Sequence, residues 1–148
     1  MRMARGDGHR RARRGAGAAE LAVVLPVLIL LALGCVDFGR FAYRYIAIQN
    51  AARTGAEYGT MNPFTTTTKA VWKAQVIAVT KAELANSAGT VPSGVAVDVS
   101  DADLVAGSSG LRRVRVNVTY TGFTTLVSWP GIPANPTMRS TAVMRAIR

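Results

Sequence analysis

The chain has 148 residues, 49% of them hydrophobic, with 18 Lys and Arg against 8 acids and a formal charge of +10. The length argues for one domain. One histidine (His9) and one cysteine (Cys35) exclude an intramolecular disulfide, a His/Cys metal cluster, and Ser-His or Cys-His nucleophilic chemistry beyond the leader.

The first fifteen residues hold Arg2, Arg5, Arg10, Arg11, Arg13 and Arg14 against Asp7 alone. A basic balance first suggests nucleic acid, but a basic cluster directly before an apolar span is the flank that the positive-inside rule places in the cytoplasm. The expected topology is single-pass in the cytoplasmic membrane, N-terminus inside and C-terminus outside, with no nucleic-acid partner. Ala16 to Val36 is a run of 21 residues with one charge, Glu20, and about 20 apolar residues cross a bilayer core. Pro26 lies inside the run, where a membrane helix tolerates it if neighbours satisfy the freed carbonyl.

After Val36 the sequence does not turn. Phe38, Phe41, Tyr45, Ile48, Ala52 and Ala56 recur at helical spacing, and Phe38, Phe41, Tyr43 and Tyr45 stand where an aromatic belt meets headgroups. Gly59 and Asn62-Pro63 supply the stop. A continuous helix from Ala16 to Tyr58 would extend about 64 Å. After the loop Thr60 to Thr68, KAVWKAQVIAVTKAELANS reads as a second helix. Its expected packing face is Val71, Ala74, Ala78, Ala82 and Ala85, with Ile77 and Leu84 beside it.

AGTVPSG breaks that helix and the period becomes two. Val95, Val97 and Val99 alternate with polar or small residues, as do Val114, Val116, Val118 and Tyr120, the pattern of half-buried strands. Asp101 to Gly110 would join them. A weaker strand is expected over Phe123 to Trp129 and a last one over Met138 to Ile147. The expected fold is α+β: a long transmembrane N-terminal helix running into a small outer domain with a second helix and a short antiparallel sheet. Asp98, Asp101 and Asp103 read as turn formers before a cation site, and Arg112, Arg113 and Arg115 as solvated sheet surface or a contact face. There is no phosphate-binding glycine loop. No active site, cofactor site or metal site is expected.

Three readings compete at the N-terminus. A cleaved secretory signal has a shorter apolar run and a small-x-small site. A lipoprotein signal finds only an approximation in ALGC (Ala32 to Cys35), with Ala32 and Leu33 in the wrong order. The third fits more residues. A basic leader ends in Gly15, and Glu20 is fifth counting from Ala16, immediately before the 16 uncharged residues from Leu21 to Val36. This arrangement resembles a prepilin-peptidase site.

The resemblance extends over residues 14–59. Arg14-Gly15, Glu20, Pro26, Asp37 to Arg40 and the Ala51 to Ala56 block resemble the N-terminal signature of TadE/TadF-like pseudopilins of tight-adherence, Flp-type pilus systems. Leu21 departs from it, standing where an aromatic is common. The resemblance implies cleavage after Gly15, removing the leader with Arg10, Arg11, Arg13 and Arg14, and a role in pilus assembly without catalysis. It implies as partners a prepilin peptidase, a sister pseudopilin, the major Flp pilin and the Tad secretion platform. The organisation expected is a basic cytoplasmic leader (1–15), a transmembrane and projecting helix (16–59) and an extracytoplasmic α+β domain (60–148).

Cleavage would leave an α-amine on Ala16, largely charged at neutral pH, one helical turn from Glu20. Glu20 could pair with that amine, with the amine of a neighbouring subunit, or with Arg13 and Arg14 at headgroup level. Asp37 and Arg40 have i,i+3 spacing. Small residues at Gly17, Ala18 and Ala19 favour close helix–helix approach and oligomerisation through this helix. The alternative function is an uncleaved signal-anchored, or lipid-anchored, binding protein of the cell envelope.

Overall fold

A computed structural model describes residues 8–62, 64–65, 67–100 and 113–145, with side chains in the first helix from Gly17 onward. The order is α1 (Gly8–Met61), α2 (Lys69–Ala88), β1 (Val95–Ser100), β2 (Arg113–Tyr120) and β3 (Met138–Arg145). The fold is α+β. The chain divides into two compact units, Met1–Phe38 and Gly39–Arg148.

In the second unit the three strands form an antiparallel meander in the order β1-β2-β3, with Val97 opposite Val118 and Val118 opposite Ser140. The period-two pattern decides the faces. Val114, Val116, Val118 and Tyr120 are buried, as are Val99 from β1 and Met138, Ser140 and Ala142 from β3. The opposite face carries Asp98, Asn117 and Thr141 side by side. There Asn117 Nδ2 donates to Asp98 Oδ2 at 3.5 Å and Thr141 Oγ1 to Asn117 Oδ1 at 2.8 Å.

The helical half of this core is built from small residues. Ala47, Ala51, Gly55 and Gly59 form one row at spacing four on α1, and Ile48, Ala52 and Ala56 form the next; all are buried. Rows of this kind let backbones approach closely. A Cβ built on Gly55 falls 2.1 Å from Thr80 Oγ1, and one on Gly59 falls 2.8 Å from Val114 Cγ1 and 3.1 Å from Trp72 Cζ2. The Ala51 to Ala56 block thus seats α2 and the sheet against α1.

The face of α2 differs from expectation. Val71, Ala74, Ala78 and Ala82 are exposed and Ala85 is half-buried, whereas Trp72, Val76, Thr80 and Leu84 are buried. Both series have helical spacing, and the larger side chains bury more apolar area. Phe38 is exposed too, although Phe41, Ile48, Ala52 and Ala56 belong to the core or pack on it.

No strand forms over Phe123 to Trp129. Thr125 N does bond Ala134 O at 3.2 Å, but Pro130, Pro133 and Pro136 remove the donors that a ladder needs. The segment turns instead at Trp129–Ile132, closed by Ile132 N to Trp129 O at 3.2 Å with Gly131 at φ 80°. Pro at the second and Gly at the third position suit a type II turn. Phe123 is buried as a plug of the core rather than as a strand residue. β3 ends at Arg145, and both Asp101 to Gly110 and Ala146 to Arg148 contain the remaining expectations that fall outside the described residues.

Orphan carbonyls at the ends of α1 and α2 are taken up by side chains. Asn62 Nδ2 donates to Tyr58 O at 2.9 Å and Trp72 Nε1 to Gly59 O at 3.3 Å, while Tyr43 Oη donates to Ser87 O near the end of α2. Trp72 also packs on Phe64, with centroids 4.3 Å apart. Trp72→Phe should therefore destabilise the unit by about 1–3 kcal/mol, because it strands the Gly59 carbonyl in a buried place. Chemical denaturation of the purified chain measures it, and a loss within 0.3 kcal/mol would rule out this cap.

Candidate functional site

The residues singled out from His9 to Arg40 lie on α1, which runs 54 residues without a break and continues through Pro26; Arg2, Arg5 and Asp7 lie outside the described residues. Helical backbone begins at Gly8, so Arg10, Arg11, Arg13, Arg14, Gly15 and Ala16 are helical as well. Gly17, Glu20 and Leu21 follow on the same helix and are exposed. A Cβ on Gly17 meets nothing within 4 Å, which leaves room there for a close neighbour. Glu20 has no partner among the described residues. It stands one turn from Ala16, as the spacing requires.

The apolar side chains from Leu21 to Leu31 are 47–76% exposed. A helix in a soluble core buries its most apolar stretch; in α1 only 6% of that stretch is buried. The segment is long and apolar enough to cross a membrane. Cys35 is exposed on the helix.

Asp37 and Arg40 differ from a simple surface pair. Asp37 is 6% exposed, and each of the two is engaged in a polar or electrostatic interaction. Arg40 also lies over the ring of Phe123, 5.5 Å from its centroid. Phe123 in turn meets Phe41 edge-on at 5.6 Å, and Phe41 stacks on Tyr45 at 6.4 Å.

This cluster borders a cavity of about 190 Å³ that joins Arg40, Tyr43 and Arg44 of α1 to Tyr120, Phe123 and Thr124. Sequence reasoning missed it, because its two halves are some eighty residues apart along the chain. The available signal was the pair Arg40 and Arg44 at spacing four, interleaved with aromatics. A second cavity of about 200 Å³ lies between Gln49 and Arg53 of α1 and Ser140 to Met144 of β3. Among the described residues no group of three or more His, Cys, Asp or Glu gathers to hold a metal. Asp101, Asp103 and Arg112 lie outside them. Arg113 and Arg115 share the outer sheet face, half-buried, and Arg115 is partnered.

No curated protein and no solved structure matches the chain. Residues 15–57 match the family model described as TadE-like protein. That match begins at Gly15 and ends inside the small-residue face of α1, so over this segment the chain is similar to TadE-like proteins.

Proposed function

We propose that the chain is a TadE-like pseudopilin of a Flp/Tad-type pilus, anchored by one membrane-spanning helix and processed by a prepilin peptidase after Gly15. The observation that carries this reading is the family match beginning at Gly15, with Glu20 fifth beyond it and an exposed apolar helix following. The basic leader then lies in the cytoplasm and the Gly39–Arg148 unit outside. The protein works by packing in the membrane and by contacts of its outer unit, without catalysis. Its partners are the peptidase, a sister pseudopilin, the major pilin and the secretion platform. The exposed N-terminal helix, open at Gly17, supports association through that element.

Mass spectrometry of the membrane fraction tests the processing step. The expected product begins at Ala16, and Gly15→Ala or deletion of the peptidase should leave the full chain in at least tenfold excess over the cut one. An intact leader in the wild type would sink the pseudopilin reading in favour of an uncut anchor. An acylated Cys35 would establish lipid anchoring.

A further inference from the structure

We propose that the cavity between Arg40–Arg44 and the segment after β2 binds the phosphate of a membrane phospholipid headgroup. Its walls suit that group. Arg40 and Arg44 are one helical turn apart, and guanidinium forks match phosphate oxygens. Arg40 is held in place from below by Phe123 at 5.5 Å, a buried ring braced on Phe41. Tyr43 gives its hydroxyl proton to Ser87 O, so it shapes the wall rather than donating to an anion. Arg44 and the hydroxyls of Tyr120 and Thr124 have no hydrogen-bond or ion-pair partner among the described residues, leaving donors for a ligand. A volume of about 190 Å³ is below the roughly 300 Å³ at which sites for drug-sized ligands begin, and fits a phosphate-sized group.

The lipid source follows from where the arginines stand, and it rests on the membrane-spanning reading. Val36 ends the uncharged run, and Arg40 and Arg44 follow it by about 6 and 12 Å of helical rise. Headgroup layers occupy about 5–8 Å beyond the hydrocarbon on each side. Arg40 therefore falls within that layer. Arg44 stands beyond its outer edge, from where its long side chain reaches back toward the layer. Counted with Asp37, the two arginines still leave this stretch of α1 a net positive charge. Since both leaflets present phosphate, the site does not depend on the orientation of the chain.

The test uses the full-length chain in nanodiscs of phosphatidylcholine and phosphatidylglycerol, released for native mass spectrometry. The wild type is expected to retain one phospholipid. Arg44→Gln should lower retention about fivefold, the effect of one arginine near an anionic surface, and Arg40→Gln/Arg44→Gln should abolish it. Near-ultraviolet circular dichroism checks that the variants fold. If loss of Arg40 disturbs the Phe123 packing, Arg44→Gln and Tyr120→Phe still decide the matter. Retention unchanged in the variants would overturn the site. Displacement of the lipid by millimolar inorganic phosphate would make free phosphate the ligand and overturn the headgroup assignment. A chain that fails to float with vesicles would sink the membrane reading; a chain that floats but holds no phospholipid would sink only this site.

Discussion

Gly55→Ala should destabilise the Gly39–Arg148 unit by about 3 kcal/mol, the upper part of the range for overpacking a filled core. The new methyl would stand 2.1 Å from Thr80 Oγ1, 3.3 Å from Thr80 Cβ and 3.5 Å from Val116 Cγ1. Thr80 and Val116 are both fully buried, so neither can swing into solvent. Thr80 Oγ1 is also tied to Val76 O at 2.8 Å. Relief must come from parting α1 and α2, which opens the close row Ala47-Ala51-Gly55-Gly59. Thr80→Ala removes the offending oxygen and costs about 1 kcal/mol for one hydrogen bond, since Val76 O lies within the helix ladder. The double variant Gly55→Ala/Thr80→Ala should then resemble Thr80→Ala alone, a coupling of about 3 kcal/mol between residues in contact. Thermal unfolding should show Gly55→Ala lowered by roughly 10–20 °C for a unit of this size. A double variant as unstable as Gly55→Ala would show that the clash lies elsewhere.

That glycine also marks the boundary of what the sequence makes legible. Period-two alternation located β1 and β2 and chose their buried faces, because a one-residue slip would turn every valine outward. The long helix was legible from its apolar run and the absence of a proline between Asp37 and Gly59. The packing face of α2 was not. Ala74, Ala78 and Ala82 have the same spacing as Trp72, Val76 and Thr80, and a threonine in the buried row hides it from any count of apolar residues. What selects the row is volume on one side and a missing Cβ on the other: Thr80 fits because Gly55 faces it. The strand expected over Phe123 to Trp129 failed for another reason. Its β-prone residues are real, but three following prolines leave no strand to pair with it.

The candidate site was legible to the extent that it lies along one helix. Gly15, Ala16, Glu20 and Leu21 are ordered by spacing alone, and the helix keeps that order. The cavity of Arg40 and Arg44 was not legible, because Thr124 and Phe123 reach it only through the path of the chain after β2. Asp37 lies between the two cases. Its spacing to Arg40 was plain, whereas its burial depends on the fold.

Glu20→Gln should leave membrane insertion and the cut at Gly15–Ala16 intact while lowering association with co-expressed pilus partners about tenfold. Glu20 has no partner among the described residues and sits on a helix whose apolar neighbours are exposed, so its own fold does nothing to stabilise the charge. An unpaired carboxylate at mid-membrane costs about 2.5–3.5 kcal/mol, less near the interface. The proposed cleavage after Gly15 would create an amine within one turn of Glu20, and pairing would offset that cost. If the amine is its own, glutamine changes the monomer and leaves assembly alone. If the amine belongs to a neighbour, the pair exists only in the assembly, and losing half of a 3 kcal/mol offset changes association about tenfold. The exposed, uncrowded surface at Gly17, one turn before Leu21, favours the second case by letting another helix approach. Cysteine crosslinking from Gly17→Cys, compared with and without Glu20→Gln in a Cys35→Ala background, reads the difference directly. Equal crosslinking in both backgrounds would assign Glu20 to its own chain's amine, and loss of cleavage with Glu20→Gln would assign it to recognition by the peptidase.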